Sequence, residues 1–551
     1  MTAPGDAAWP PLDDALVPSG RALLDWAADG TAPRLCLLTG GRGGGKSRLL
    51  AWYVTGSGPH PALRVHALVP AAGLTAEVFT WEMGRQLGYG PLDAPDVLRR
   101  LARDARPVLL AVPDLHQALG AAPAEIVGGL LGPLLRLPHV RLIVEAADSG
   151  TVGRLAPFRE VALPGALSAT EPAMDGEELA GLLASVPAGP AGSPDWERAP
   201  ETVRARVLGL ALATGTAGRL TGDPGFLVHG PAPAITAALA DSRTPAPPGL
   251  RAVWRRAAPA LTGLGLTGPE RAAVLHAAAL ADDPKLAAYL APLARGHSWT
   301  ARWASPEPVT ALTLGGDALL TADPVGRLRL LDPATGGVRR GVPADPAVRP
   351  VAAVSLAGSV LLLDGNDFLH PAGDVSVALS RIADVHNPAA AAPTALAACG
   401  RHVVVGDAGG RAHLWDVDAH DRGAAGRTLH PAPVTALALL EVPAHDLTFC
   451  LSGGADGTLR LWETGTDPMP EPVDRREAVV TALAASDTPA GPMVAAAWSD
   501  GELHLWNLFE ATRRVLTPPH RAAALALAGD GTLFVAGTAG IAALHTRREA
   551  S

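Results

Sequence analysis

Lysine is nearly absent from this sequence, and its scarcity gives weight to the two positions where it remains. Of the 45 lysines and arginines among 551 residues, only Lys46 and Lys285 are lysines, so 43 (45 − 2) are arginines. This bias, with abundant alanine, glycine and proline, is typical of a GC-rich bacterial gene. A lysine is retained where a compact point charge is needed. Lys46 is therefore a candidate functional residue.

Three other absences exclude classes of function. The net charge is −9, which gives no overall positive field for nucleic acid or an anionic membrane surface. No run of 18 apolar residues is present, so we expect no membrane span. Cys36, Cys399 and Cys450 show no metal or redox spacing and favour inert thiols in a reducing compartment. The first residues lack the basic and apolar regions of a signal peptide, so we expect a cytoplasmic protein.

A glycine-rich motif surrounds Lys46. An apolar run that ends at Thr39 is followed by Gly40, Gly41, Arg42, Gly43, Gly44, Gly45, Lys46 and Ser47. This matches G-x-x-x-x-G-K-[ST], the phosphate-binding P-loop, with a strand before it and a helix after it. In such a loop the backbone N–H groups face the phosphates, the lysine reaches the β- and γ-phosphates, and the serine hydroxyl binds magnesium. A glycine-rich turn without a ligand is the alternative.

Strand and helix patterns alternate from residue 34 to about 165 and predict an α/β domain with a parallel sheet covered on both faces. The predicted strands are 34–38, 62–69, 108–112, 140–144 and 160–163, and the predicted helices are 75–87, 94–103 and 124–137. Asp114 follows the third strand, at the carboxyl edge where such sheets bind ligands. An acid there would hold magnesium through water and support hydrolysis. The alternative is a turn residue after Pro113.

The middle of the chain is predicted to be helical. Helices are expected at 176–186, 200–212, 232–240, 269–281 and 284–293. Segments rich in proline and glycine, such as 187–194 and 244–249, separate them.

From residue 298 the sequence repeats. Glycines of D-G-type turns, each followed five residues later by an anchor, occur at Gly326, Gly365, Gly410, Gly457, Gly501 and Gly540. By subtraction their spacings are 39, 45, 47, 44 and 39 residues. Three copies read GGRAHLWD, DGTLRLWE and DGELHLWN. This period and spelling predict a six-bladed WD-repeat propeller, which residues 298–304 would close by pairing with the last blade. An unrelated β-sandwich is the alternative.

Polar pairs are expected inside the blades. Asp456 with His430, and Asp407 with His386, could supply buried hydrogen-bonded pairs of a structural kind.

Together these features resemble the STAND class of P-loop NTPases, signal-transducing ATPases with large repeat sensors, over essentially the whole chain. The resemblance implies that Gly20 and Arg21 correspond to a G-R-E element near the adenine, with Ala22 in place of the acid. It also implies that 222–224 correspond to a G-x-P element that senses nucleotide, which adds Pro224 to the nucleotide-binding set. On their own these residues are a helix N-terminal turn and a loop turn.

The sequence patterns and the resemblance together predict five segments. They are an N-terminal segment with the adenine-side element (1–33), a P-loop nucleotide-binding domain (34–165), a helical domain (166–249), a winged-helix-like helical domain (250–297) and the propeller (298–551). The fold class is thus multidomain: an α/β P-loop NTPase, a helical middle and an all-β propeller.

The function implied is a nucleotide-gated signalling switch that binds ATP or ADP with Mg²⁺ and reads a protein partner or ligand through the propeller. Self-association that depends on nucleotide is a further expectation; nucleic acid and membrane are not expected partners. The rival is a scaffold that holds nucleotide for stability alone. A small-molecule kinase lacks a candidate substrate base or lid, and a GTPase is disfavoured because no N-K-x-D element is visible.

Two departures from the family pattern bear on hydrolysis. The family usually spells the end of strand three D-D-hydrophobic-H, whereas Pro113 here replaces the first acid. The stretch 145–148 after strand four lacks the expected arginine sensor. We therefore expect at most a slow ATPase, with Asp114 as its catalytic acid and with Ser47 and Asp114 at the magnesium site.

Overall fold

The computed structural model describes residues 9–41, 44–104, 106–146, 150, 152, 154–163, 176–189, 193–240, 244–262, 265–356, 358–374, 376–419 and 423–547. The chain forms two compact units, Met1–Pro247 and Pro248–Ser551. The first contains an α/β domain and the second a six-bladed propeller, so the predicted multidomain layout is confirmed. No helix in these ranges is both long enough and apolar enough to cross a bilayer.

The N-terminal unit is built around a five-stranded sheet. Its strands are β1 Leu35–Thr39, β2 Ala67–Leu68, β3 Val108–Val112, β4 Val140–Glu145 and β5 Phe158–Ala162. All the pairings are parallel and the order is β2-β3-β4-β1-β5. β4 therefore lies between β1 and β3, which places its carboxyl end beside the glycine-rich loop. The predicted strand at 62–69 is too long, since only two of its residues pair in the sheet.

Helices cover both faces of this sheet, as predicted. They are α1 Val17–Ala28, α2 Lys46–Ser57, α3 Ala76–Gln86, α4 Ala94–Arg103, α5 Ala122–Ile126 and α6 Gly132–Leu134, with a π-helical turn Val127–Leu131 between the last two. One apolar cluster joins the sheet to the segment around α3 to α6, and another joins it to α1 and α2. Strands buried on both faces explain the continuous apolar runs of β1 and β3.

The first unit continues with a helical block. Its helices are α7 Gly176–Ser185, α8 Glu201–Ala213, α9 Gly218–Thr221, α10 Pro224–His229 and α11 Ala232–Ala240. The second unit opens with three more, α12 Leu250–Leu261, α13 Gly268–Ala279 and α14 Pro284–Leu293. Thr267 and Glu270 form a capping box that fixes the start of α13. Helix α13 packs against the strand that follows this helical segment.

The propeller follows, beginning with β6 Trp299–Ser305. Its remaining strands are β7 Ala311–Gly315, β8 Ala318–Ala322, β9 Leu328–Leu331, β10 Val338–Val342, β11 Pro350–Leu356, β12 Ser359–Asp364, β13 Leu369–Gly373, β14 Pro393–Cys399, β15 His402–Asp407, β16 Arg411–Asp416, β17 Ala425–Thr428, β18 Val434–Val442, β19 Leu447–Gly454, β20 Thr458–Glu463, β21 Asp474–Arg475, β22 Val480–Thr488, β23 Gly491–Trp498, β24 Leu503–Asn507, β25 Thr512–Leu516, β26 Ala524–Leu527, β27 Thr532–Gly537 and β28 Gly540–Thr546. They form six antiparallel sheets whose innermost strands contact one another in a closed circuit.

The ring closes as the sequence predicts. β6 pairs with β28 in the order β26-β27-β28-β6, so the first strand of the propeller completes its last blade. Trp299 and Trp303 of β6 are buried, and their indole N–H groups donate to the Thr517 and Pro333 carbonyls at 2.8 and 2.9 Å.

The second blade departs from the repeat. It has three strands, β11, β12 and β13, and a helix, α15 Val377–His386, stands where the other blades have a fourth strand. The side chain of Asn387 accepts a hydrogen bond from the Leu369 N–H at 2.7 Å and donates to the Leu369 carbonyl at 3.0 Å. The N–H of Gly373 donates to the Pro343 carbonyl at 3.2 Å.

Candidate functional site

The loop between β1 and α2 brings the first turn of α2 to the carboxyl edge of the sheet. Gly40 and Gly45 have φ angles of 142° and 88°, which residues with a side chain rarely adopt. α2 begins at Lys46, and no side chain caps it. The first N–H groups of any helix lack intrahelical partners, so without a cap those of α2 are available to a ligand, and the positive end of the helix dipole lies at the loop. Arg42 and Gly43, two of the predicted phosphate-binding residues, lie outside the described residues.

Lys46 is buried at the centre of this loop. Lys46 is 6% exposed, and its Nζ donates hydrogen bonds to the carbonyls of Gly40 at 2.7 Å and Gly41 at 3.1 Å. Nζ also lies 3.8 Å from Oε1 of Glu145. A buried ammonium group is costly unless it is paired. The loop thus holds a positive charge where the motif predicts the β- and γ-phosphates.

Glu145 was not predicted as a site residue. It ends β4, is paired in register with Leu38 of β1, and is 2% exposed. Burial, and after it the charge of Asp114, raises the pKa of Glu145, whereas Lys46 opposes that shift. Oε2 has no hydrogen-bond partner in the described part of the chain. A charged residue at the end of an apolar strand was visible in the sequence, but its place beside β1 depends on the strand order.

Asp114 and Ser47, the predicted magnesium residues, both lie near Glu145. The Ser47 hydroxyl and the backbone N–H of Asp114 are close enough to favour the charged form of that carboxylate. Asp114 is half-buried, has a φ of 51°, and its Oδ1 accepts a hydrogen bond from Gln117 at 2.8 Å. Pro113 is buried in the extension of β3. At this position, where the family resemblance predicts an acid, the side chain is therefore an apolar pyrrolidine ring.

The predicted adenine-side residues lie on α1. Gly20 is buried, and a Cβ there would stand 2.6 Å from Leu12 and 3.3 Å from Trp52 of α2. Close packing of α1 against Leu12 and against α2 thus accounts for this glycine. Arg21 is exposed. The structure gives Gly20 a packing role, and an adenine contact for the pair stays a prediction.

The 222–224 element forms a helix cap. Asp223 is the N-cap of α10, with Pro224 at its first position, and its Oδ1 accepts from the N–H of Gly225 at 2.9 Å. Its Oδ2 accepts from the indole N–H of Trp196 at 2.7 Å. These bonds all stay inside the helical block. Nucleotide sensing by Pro224 therefore stays a prediction.

The donor set around Lys46 fits a magnesium-bound nucleotide. It offers an ammonium group, a hydroxyl, an uncapped helix start and two carboxylates, one of which has a buried oxygen without a partner. The described residues contain no group of three or more His, Cys, Asp or Glu side chains that could hold a metal ion by themselves. Mg²⁺ does not require one, since it keeps several waters and uses one or two carboxylates together with phosphate oxygens.

Buried polar pairs stabilise the propeller blades, as predicted, with one correction. Nδ1 of His430 lies 3.1 Å from Asp456, which confirms the first pair. Asp407 instead pairs with His413, at 2.9 Å from Nε2. His386 accepts a hydrogen bond from the indole N–H of the tryptophan on β16 at 3.1 Å. The predicted pairing of Asp407 with His386 was therefore wrong, because the register of β15 with β16 sets a nearer histidine beside that carboxylate.

A cleft lies beside α15. It has a volume of about 410 Å³, and its lining includes Arg381, His386, Asp407, His413 and Trp415. Val385, which lines this cleft, is 48% exposed, and Val377, which lines a second cleft at the start of the helix, is 85% exposed. The surface around α15 therefore presents both charge and apolar side chains to solvent.

Comparison with known families identifies one repeat in the propeller. A family model for WD40, described as "WD domain, G-beta repeat", matches residues 426–463. The matched segment runs from β17, the outer strand of one blade, through β18 and β19 to β20 of the next. Such a repeat suggests a protein-interaction domain. No curated protein sequence matches the chain.

Solved structures resemble part of this chain, and two of those described below are named as propeller domains. The β-propeller domain of Cps50 (Swd1) from Myceliophteria thermophila is 18% identical over 43% of this chain and 84% of its own, with a TM-score of 0.31. The WD40 β-propeller domain of Doa1 is 12% identical over 44% and 79%, with a TM-score of 0.33. The computationally designed Ika8 protein is 16% identical over 45% and 98%, with a TM-score of 0.28. Because these scores are low, the assignment depends on the six sheets themselves and on the matched repeat. The second unit is thus a six-bladed β-propeller, preceded by helices, that carries a WD40 repeat.

Proposed function

We propose that this protein is a nucleotide-gated switch, which binds an adenine nucleotide with Mg²⁺ in its N-terminal unit and a protein partner through its propeller. The observation that carries the nucleotide part is the buried Lys46, whose Nζ rests on the carbonyls of its own loop at the start of an uncapped helix. A phosphate group would offer this ammonium a stronger, charge-assisted partner than two neutral carbonyls.

The choice of nucleotide follows the family resemblance. STAND proteins use adenine nucleotides, and the sequence has no N-K-x-D element for guanine. Magnesium bound with ATP would supply charge neutralisation at the phosphates. The chain would hold the phosphates through Lys46 and the first turn of α2, and the metal through Ser47 and Asp114. Since Pro113 cannot act as an acid, we propose that basal hydrolysis is slow or absent.

Nucleotide binding is tested with the two lysines of the chain. Lys46→Met keeps an apolar stem but removes the charge, and Lys285→Met makes the same change at an exposed position of α14. We expect Lys46→Met to weaken binding of a fluorescent ADP analogue by about tenfold or more, because a hydrogen bond to a charged group contributes about 1.5–3 kcal/mol. Lys285→Met should bind as the wild type does. Equal binding by both variants would refute the site.

The switch and the scaffold differ in one measurement. If a propeller partner and ATP favour the same state, each must tighten the binding of the other by an equal factor, typically about 5- to 150-fold. A scaffold predicts no coupling, since a ligand with equal affinity for two states shifts neither. A partner captured with the whole chain should therefore change the nucleotide affinity. If it does not, the scaffold is the better description. The oligomeric state with ATP and with ADP, measured by light scattering, tests nucleotide-dependent self-association.

A further inference from the structure

The carboxyl edge of the sheet has an acid one strand away from the position where the family pattern places it. β3 and β4 pair in register from Val108 with Val140 to Val112 with Val144. The next residues along the two strands are Pro113 and Glu145. An acid missing at the end of β3 is therefore matched by one at the end of β4, the strand adjacent to β1 and to the glycine-rich loop.

The surroundings of Glu145 are those of a ligand-binding carboxylate. Its residue is 2% exposed, and Oε2 has no hydrogen-bond partner among the residues described. Its other oxygen lies 3.8 Å from Nζ of Lys46, and Ser47 and Asp114 are its neighbours. A buried carboxylate oxygen without a partner is costly. A salt bridge to Lys46 alone would leave Oε2 unexplained, whereas a divalent cation would satisfy it.

We infer that Glu145 replaces the missing acid of β3 and is one of the carboxylates that hold Mg²⁺ beside the nucleotide. This inference rests on the proposed function, since the metal arrives with the nucleotide. The rival role for Glu145 is that of a counter-ion which only positions Lys46. The two roles differ in what magnesium adds to nucleotide binding.

The experiment measures the affinity of the full-length protein for a fluorescent ADP analogue in Mg²⁺ and in EDTA. The ratio of the two affinities is the magnesium enhancement. Glu145→Gln removes the charge and keeps the shape. Glu160→Gln is the matched control, because Glu160 lies on β5, the other neighbour of β1, is exposed, and accepts a hydrogen bond from Thr39 at 2.6 Å that an amide oxygen can also accept. Both changes alter the net charge equally.

We expect the wild type and Glu160→Gln to share one magnesium enhancement. In Glu145→Gln the enhancement should fall by about 10- to 100-fold, the range for loss of a group that supports a bound metal. Binding of Glu145→Gln in EDTA should equal or exceed that of the wild type, because a negative charge beside the phosphates has been removed.

Two results would overturn the inference: a wild type without magnesium enhancement, and an enhancement that survives in Glu145→Gln. If that surviving enhancement comes with an equal loss of affinity in Mg²⁺ and in EDTA, Glu145 is only a counter-ion of Lys46. A wild type that binds no adenine nucleotide in either buffer would refute the proposed function itself. Melting curves without nucleotide confirm that each variant is folded.

Discussion

The stability of the propeller should depend on His386, which ends α15. This residue is 4% exposed, and its Nε2 accepts a hydrogen bond from the indole N–H of Trp415 at 3.1 Å. Burial, and after it the neighbouring His413, lowers the pKa of His386 to about 4, although Asp407 opposes the shift. Protonation at Nε2 would also remove the acceptor on which Trp415 depends. The folded propeller therefore keeps His386 neutral at pH values at which His386 of the unfolded chain is protonated.

The sign and the size of this effect follow from linkage. The pKa of His386 falls from the ordinary value of 6.5 in the unfolded chain to about 4 in the folded one. Above about pH 6.5 the ring is neutral in both states, and His386 then costs the folded propeller no stability. Stability is lost as the pH falls from 6.5 towards 4, because the unfolded chain binds the proton first. The pKa difference, 6.5 − 4, corresponds to about 3.4 kcal/mol in full. At about pH 5 the loss is about 2 kcal/mol.

Urea unfolding of the full chain at about pH 8 and about pH 5 measures this loss of stability. Tryptophan fluorescence follows the unfolding, and because tryptophans lie both inside and outside the propeller, the transition to compare is the one that a change at His386 shifts. His386→Gln keeps an acceptor for Trp415 but cannot titrate. The free energy of unfolding should fall by about 2 kcal/mol less in this variant than in the wild type. His445→Gln is the control, because His445 is exposed. An identical pH dependence in the wild type and His386→Gln would refute the reasoning.

Three further predictions concern packing, closure and rate. Gly56→Ala should lower the free energy of unfolding by about 1–3 kcal/mol, because the new Cβ would lie 2.0 Å from the Trp9 ring. Gly58→Ala is the control, because its Cβ would lie 3.6 Å from the nearest atom. Equal melting temperatures of the two variants would contradict this prediction. A chain that begins at residue 306 should melt below one that begins at 296, since it loses β6 and two buried tryptophans worth about 3–5 kcal/mol each. Phosphate release by the wild type should stay far below ~1 s⁻¹, and vigorous turnover that survives Asp114→Ala would contradict the assigned role of that acid.

The propeller was predictable because each repeat in the sequence corresponds to one blade, so a local pattern shows how distant segments assemble. Six turn glycines at regular spacing determined the number of blades, and the alternation in 298–304 indicated the strand that closes the ring. The helix in the second blade was missed, although Ser376 caps it and Leu379, Ile382 and His386 lie buried at helical spacing. A WD-repeat propeller has four strands in each blade, so the repeat alone predicts a strand there, whereas the local spacing favours the helix that forms.

The candidate site likewise contains one part that the sequence predicts and one part that depends on the fold. Lys46 and its loop are contiguous in sequence, so a motif finds them and predicts their chemistry. Glu145 stands almost 100 residues further on (145 − 46 = 99), and only the insertion of β4 between β1 and β3 brings it to Lys46. The partner of Asp407 was mistaken for the same reason. Which of two histidines meets a carboxylate depends on strand register, which the spacing of residues does not determine.

The three-stranded second blade leaves a strand at the edge of its sheet, where strands of two molecules could pair. β13 ends a sheet, and the outer edge of such a strand usually offers free N–H and C=O groups that can recruit a strand from another molecule. Here Asn387 occupies both groups of Leu369, Pro371 has no N–H to offer, and the N–H of Gly373 is bound by Pro343. A side-chain amide and a proline thus act as a cap on the blade. The described part of β13 therefore offers no free N–H group at its outer positions Leu369, Pro371 and Gly373, although α15 beside it is exposed to solvent.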